Sequence, residues 1–115
     1  MKITLNIPSS NLSPNRKNGK HWAHSHAAKK EARDGAYLAT MAESNCVKLV
    51  TPPDTLKITF VLPTKRARDL DNLLSSAKSS IDGMCLALGI DDECFVNVIL
   101  KKEHSPGVSK MIFEV

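Results

Sequence analysis

Residues Lys2 to Ile7 alternate, with Ile3, Leu5 and Ile7 on one side and Lys2, Thr4 and Asn6 on the other. That is the pattern of a half-buried strand. Pro8 and Ser9-Ser10-Asn11 end it, and the segment from Asn11 to Lys20, with Pro14, Gly19 and three cations, reads as an exposed loop. From about His21 to Ser44 the chain is rich in alanine and free of proline, which predicts a long helix. Ala28, Ala32, Gly35 or Ala36, and Ala39 recur at helical spacing as a narrow seam of small residues, suited to lie closely on a sheet. Val47 to Asp54 is a connection, because Thr51-Pro52-Pro53-Asp54 cannot continue a helix.

A second strand is predicted from Thr55 to Leu62, where Leu56, Ile58, Phe60 and Leu62 alternate with Lys57 and Thr59 until Pro63 stops it. The second helix, about Asp71 to Leu88, is amphipathic. At 100° per residue Leu73, Leu74, Ala77, Ile81, Met84, Cys85 and Leu88 form one core-facing stripe. Gly89 terminates it. The apolar run Cys94 to Leu100 predicts a third strand, and Ser105-Pro106-Gly107 turns the chain into a fourth, Val108 to Val115, as a hairpin. The order β-α-β-α-β-β predicts a single two-layer α/β (α+β) domain over residues 1–115, with two main helices on a mixed four-stranded sheet.

Composition narrows the picture. With 115 residues, 42% of them hydrophobic, the chain can bury a core of its own and is not a disordered polymer. No apolar run reaches the roughly 20 residues of a membrane span, and Met1-Lys2-Ile3-Thr4 lacks the apolar core of a secretory signal, so no membrane partner and a cytoplasmic location are expected. Cys46, Cys85 and Cys94 form no C-x-x-C pair, which points to reduced, mostly buried thiols rather than disulfides or a cysteine zinc site. The net charge of +4 is local: Arg16, Lys17, Lys20, Lys29, Lys30 and Arg33 stand against only Glu31 and Asp34 in the same stretch. Such an excess favours an acidic partner.

The chemistry concentrates between Lys65 and Glu93. Lys65, Arg66 and Arg68 lead into Asp69-Leu70-Asp71-Asn72, and Asp91-Asp92-Glu93 closes the same helical segment. Side chains two apart in an extended segment point the same way, so Asp69 and Asp71 can converge at the helix start. With Asp71 as origin of the helical wheel, Ser75, Lys78 and Asp82 stack over it within about 40°. Hard cations such as Mg²⁺ take carboxylate oxygens and keep waters for a substrate phosphate. Convergent aspartates therefore suit phosphodiester hydrolysis, where a metal activates water and neutralises the leaving oxygen, and Lys78 could stabilise the charge that builds on phosphorus. Each half alone has a plainer explanation: Asp69 or Asp71 as a helix cap or dipole partner, and Asp91-Asp92-Glu93 as a solvated turn. The two acidic groups together, preceded by three cations, favour an anionic ligand.

The run Arg68-Asp69-Leu70-Asp71-Asn72-Leu73-Leu74, then Lys78, Ile81-Asp82-Gly83 and Leu88-Gly89-Ile90-Asp91-Asp92, resembles the signature of the RusA family of Holliday junction resolvases, especially its phage-type members. Leu12-Ser13-Pro14-Asn15 and His21-Trp22 resemble the amino-terminal motif of that branch. The resemblance covers most of the chain. It implies a homodimeric endonuclease that binds four-way junction DNA and makes paired symmetric nicks with Mg²⁺, for which Mn²⁺ could substitute. It places the metal ligands at Asp69, Asp71 and the Asp91-Asp92 pair, with Asp92 the better aligned. The better-known members carry a lysine one turn after the second aspartate; here that position is Ser75, and Lys78 stands two turns on. A junction with two-fold symmetry, cut on two opposed strands, suits a C2 dimer with one site per subunit on independent grounds.

His21, His24 and His26 match neither a helical H-x-x-x-H nor a finger spacing, and only His104 remains as a fourth ligand, so phosphate contact by this basic segment is preferred to zinc. Only 4% of residues are aromatic, which leaves no stacking platform for single strands. Recognition should rest on phosphate contacts and shape, with Arg16, Lys17, Lys20, His21, Lys29, Lys30, Arg33, Arg66 and Arg68 as the candidates. The competing readings are a generic branched-DNA nuclease with the same metal chemistry, a non-catalytic nucleic-acid-binding module, and an aspartyl-nucleophile phosphohydrolase. The last wants Thr or Val where this chain has Leu73.

Overall fold

The computed structural model describes residues 1–8 and 22–115, with the side chains of residues 22–24 left aside. The loop expected from Asn11 to Lys20 lies outside the described residues. In chain order the elements are β1 (Lys2–Leu5), α1 (Trp22–Ser44), β2 (Thr55–Leu62), α2 (Leu70–Leu88), a single 3-10 turn (Asp92–Cys94), β3 (Asn97–His104) and β4 (Lys110–Glu114). The β-α-β-α-β-β order, the two helices and the mixed four-stranded sheet are those expected.

The strand order across the sheet is β1-β4-β2-β3. β3 runs parallel to β2 from Thr55 opposite Asn97 to Leu62 opposite His104. β4 is antiparallel to both β2 and β1, so β1, β2 and β3 share one direction. Two successive crossovers, β1-α1-β2 and β2-α2-β3, therefore step the same way along the sheet and put both helices on one face.

The stripe expected on α2 is the core. Leu73, Ala77, Ile81, Met84, Cys85 and Leu88 are buried against Leu56, Ile58, Phe60 and Leu62 of β2, Met111 and Phe113 of β4, and Ile3 of β1. Burying this many large apolar side chains, at about 1.5–3 kcal/mol each, is what holds the layers together. Gly89 ends α2 in the left-handed conformation (φ 71°), its N–H and that of Ile90 returning to carbonyls of the last turn.

Three expectations are corrected. There is no hairpin: the turn at Ser105–Gly107 forms, with the Val108 N–H on the Ser105 carbonyl at 3.0 Å, but β4 passes β2 and pairs on its far side. That position lets Met111 and Phe113 reach the centre of the core, where both are fully buried. The third strand starts at Asn97 rather than Cys94, because Asp91 caps a 3-10 turn and its carboxylate accepts from the Glu93 N–H at 2.9 Å. α1 packs mainly on α2, and its small-residue seam does not lie closely on the sheet: Ala28, Ala32, Gly35 and Ala36 line an open cleft beside β1. The close approach of the two helices is made by Gly83 of α2, where a Cβ would stand 2.9 Å from the Arg33 carbonyl carbon and 3.1 Å from the Tyr37 nitrogen.

Candidate functional site

Asp69 is the N-cap residue of α2, with extended backbone (φ −80°, ψ 136°), yet its carboxylate makes no capping hydrogen bond. The plain capping explanation thus leaves its side chain unused. Asp71 lies one residue inside the helix, so the pair is held by a helix start and not by an extended segment. Asn72 joins them, its backbone N–H donating to Asp71 Oδ1 at 3.0 Å and its side-chain amide to Asp69 Oδ2 at 3.5 Å. Both carboxylates are exposed. The role of Asn72 was not anticipated, although its place beside the aspartates is the signal that could have shown it.

The second acidic group sits at the other end of α2. Asp91 is occupied as a turn cap. Asp92 is exposed, and its carboxyl is held above the usual range by a hydrogen bond with Asp91, by partial burial, and by the charges of Asp91 and Asp82. The charge of Asp82, expected on the edge above Asp71, is thus felt at the Asp91-Asp92 turn. The same charges act on two thiols: Cys85 is pushed up to about 12, first by burial and then by Asp92, Cys94, Asp82 and Asp91. Cys94 is raised by burial and by Asp91. Neither thiol is a nucleophile in this setting. Cys46, expected to be buried, is exposed, since it follows the last turn of α1.

The 19 residues of α2 span about 28 Å at 1.5 Å per residue. Asp69 and Asp71 of one chain therefore cannot share a cation with Asp91 or Asp92 of the same chain, which corrects the expectation of one metal site built from both ends of the helix. Among the described residues, no three His, Cys, Asp or Glu side chains converge to hold a metal ion. What connects the two ends is the edge Asp71, Ser75, Lys78 and Asp82, all four exposed as the helical wheel requires. By the helical wheel it lies about 110° from Gly83, which faces α1, and about 120° from the buried stripe, on the solvent side of α2.

Cations gather at the amino end of α2. Lys65 and Arg66 are exposed in the approach from β2, Arg68 is half-buried, and Lys102 of β3 donates from Nζ to the Arg68 carbonyl at 2.7 Å. Lys102 was not foreseen; its strand neighbours reveal it only once β3 is paired with β2. Lys29, Lys30 and Arg33 are exposed on α1, with Arg33 Nε 3.9 Å from Asp34. Arg16, Lys17, Lys20 and His21 lie outside the described residues, as does the Leu12-Ser13-Pro14-Asn15 segment. One further set was missed: Lys2, Lys57, Lys101 and Lys110 fall, one per strand, on the sheet face opposite the helices. An open cleft lined by Leu5, Asn6, Ala28, Glu31, Gly35 and Lys110 contains none of the aspartates.

No helix among the described residues is long and apolar enough to cross a membrane. No family model matches the chain. It is similar to an uncharacterized protein of Xylella fastidiosa (strain Temecula1 / ATCC 700964), with 39% identity over 99 residues, which covers 83% of this chain. The alignment spans 62% of that relative's length.

Proposed function

We propose that the protein is a cytoplasmic, Mg²⁺-dependent, structure-specific endodeoxyribonuclease that acts as a homodimer and resolves four-way DNA junctions by paired nicks. The observation that carries this reading is the amino end of α2. There two exposed carboxylates, one of them free of the capping bond its position invites, are held by Asn72 directly after Lys65, Arg66 and Arg68 in the chain, with Lys102 bonded to the Arg68 carbonyl. Carboxylates that follow a basic segment suit a metal that is brought to a polyanion.

In this reading Asp69 and Asp71 bind Mg²⁺, with Mn²⁺ as a substitute, and the ion supplies an activated water and neutralises charge on the leaving oxygen. Asp92, unoccupied by capping, is the further ligand in preference to Asp91 where the second subunit of the homodimer brings it to that ion. Lys78, midway along the exposed edge, faces the developing charge on the phosphate. Arg66, Arg68, Lys102 and the cations of α1 hold the backbone of the DNA.

The test is substrate choice. End-labelled four-way junction, flap and linear duplex are incubated with the protein in Mg²⁺ and in EDTA. Symmetric nicks in the junction alone, lost in EDTA, support the proposal. Equal cutting of the flap would make it a general branched-DNA nuclease, and binding without any cut would make it a binding module.

A further inference from the structure

We propose that the cleft between β1 and α1 binds a small zwitterion with an apolar body, the chemistry shared by a free apolar amino acid and a short peptide. The cleft has a volume of about 560 Å³, within the roughly 300–1,000 Å³ of small-ligand pockets. β1 stops pairing with β4 at Leu5, opposite Met111, and the chain runs on through Asn6, Ile7 and Pro8 as one wall. α1 supplies the other through Ala28, Ala32, Gly35 and Ala36, whose small side chains leave the space between the walls unfilled. A Cβ at Gly35 would meet nothing within 4 Å.

A buried hydroxyl marks this space as more than a gap. Ser80 of α2 lines the cleft and is only 4% exposed. One turn earlier Ser76 donates its hydroxyl to the Leu73 carbonyl at 2.7 Å, whereas the Ser80 hydroxyl has no hydrogen-bond partner among the described residues. Its oxygen is not sealed from solvent either, so it opens into the cleft. A hydroxyl so nearly buried is unfavourable without a partner, and a polar group of a ligand would supply one. Charge then selects the ligand. Glu31 of α1 and Lys110 of β4 line the same cleft with opposite charges. The ion pairs among the described residues join Arg33 to Asp34 and Lys101 to Glu103, so Glu31 and Lys110 are paired neither with each other nor elsewhere. Lys110 suits a carboxylate and Glu31 an ammonium, while Leu5, Ile7 and the alanines of α1 receive the apolar body. A polyanion would meet repulsion from Glu31, and an uncharged apolar molecule would leave Ser80, Glu31 and Lys110 unanswered. The cleft stands apart from the aspartates of α2, and its ligand does not depend on the nuclease reading.

The full chain, isotope-labelled for amide chemical shifts, is titrated with leucine, leucyl-leucine, leucinamide and N-acetylleucine. A zwitterion should give saturable shifts centred on Asn6, Glu31, Gly35, Ser80 and Lys110. Saturation by leucine assigns the site to free amino acids, and saturation by the dipeptide alone assigns it to peptides. Leucinamide and N-acetylleucine, each lacking one charge, should bind at least about tenfold more weakly, as the loss of one charged hydrogen bond requires. Gly35→Leu, with open space for its β-carbon and folding checked by circular dichroism, should fill the cleft and abolish the shifts. Lys110→Met should weaken the zwitterion at least about tenfold and leave leucinamide unchanged. No saturable shift from either zwitterion overturns the site. So do shifts centred elsewhere, equal binding of the two singly charged analogues, or unchanged binding by a folded Gly35→Leu.

Discussion

Lys102 Nζ donates to the Arg68 carbonyl at 2.7 Å, tying the carboxyl end of the edge strand to the residue before Asp69. The bond fixes the approach to α2 and keeps a positive charge beside the two aspartates. Lys102→Met should cost no more than about 1 kcal/mol in urea unfolding, since the bond is exposed. Junction affinity should fall more visibly, with a shallower dependence on salt, read by fluorescence anisotropy at several salt concentrations.

Gly83 should tolerate no side chain. Alanine would raise helix propensity by about 1 kcal/mol. A Cβ at that point meets the backbone of α1 at Arg33 and Tyr37, which cannot move as a side chain can. Gly83→Ala is therefore expected to destabilise by about 1–3 kcal/mol net, as overpacking does. Gly35, with open space around its α-carbon, is the control, and Gly35→Ala should be neutral or stabilising.

Asp92 links stability to pH. Its carboxyl is raised by the hydrogen bond with Asp91, by partial burial and by the charges of Asp91 and Asp82. A carboxyl that titrates higher in the folded than in the unfolded chain binds its proton more tightly when folded. Stability therefore falls as pH rises from the ordinary value of 3.8 through the folded value, and the penalty is fully present above it. Asp92→Asn should raise the Tm at neutral pH and lose that advantage in acid, while abolishing Mg²⁺-dependent nicking.

The thiols should separate in alkylation. Cys46 is exposed and should react with iodoacetamide in the folded protein, whereas Cys85, buried and pushed up to about 12, should react only after unfolding. Mass spectrometry of the labelled peptides decides this.

Much of this architecture is legible in the residues themselves. Alternation locates β2 with both ends correct, and the apolar stripe from Leu73 to Leu88 names the face of α2 that is buried. Partner choice is not written locally. Ser105-Pro106-Gly107 announces a reversal of the chain, but which edge of β2 then receives β4 depends on where Met111 and Phe113 find a core. The small residues of α1 suggest a close neighbour, but the close approach is made instead by Gly83, far along the chain, against the backbone at Arg33 and Tyr37. Cys94, Phe95 and Val96 look like strand because nothing in their hydropathy shows that Asp91 caps a turn over them. The aspartates at both ends of α2 are visible as a pattern, and the length of the helix between them already separates them by about 28 Å.

The most direct measurement takes binding and cleavage of one labelled four-way junction from the same samples of wild type and Asp71→Asn in Mg²⁺. The account predicts paired nicks by the wild type, and an Asp71→Asn protein that binds with similar affinity and nicks at least about 100-fold more slowly. A wild type that binds the junction and never cuts it, or an Asp71→Asn protein that cuts at the wild-type rate, would contradict it.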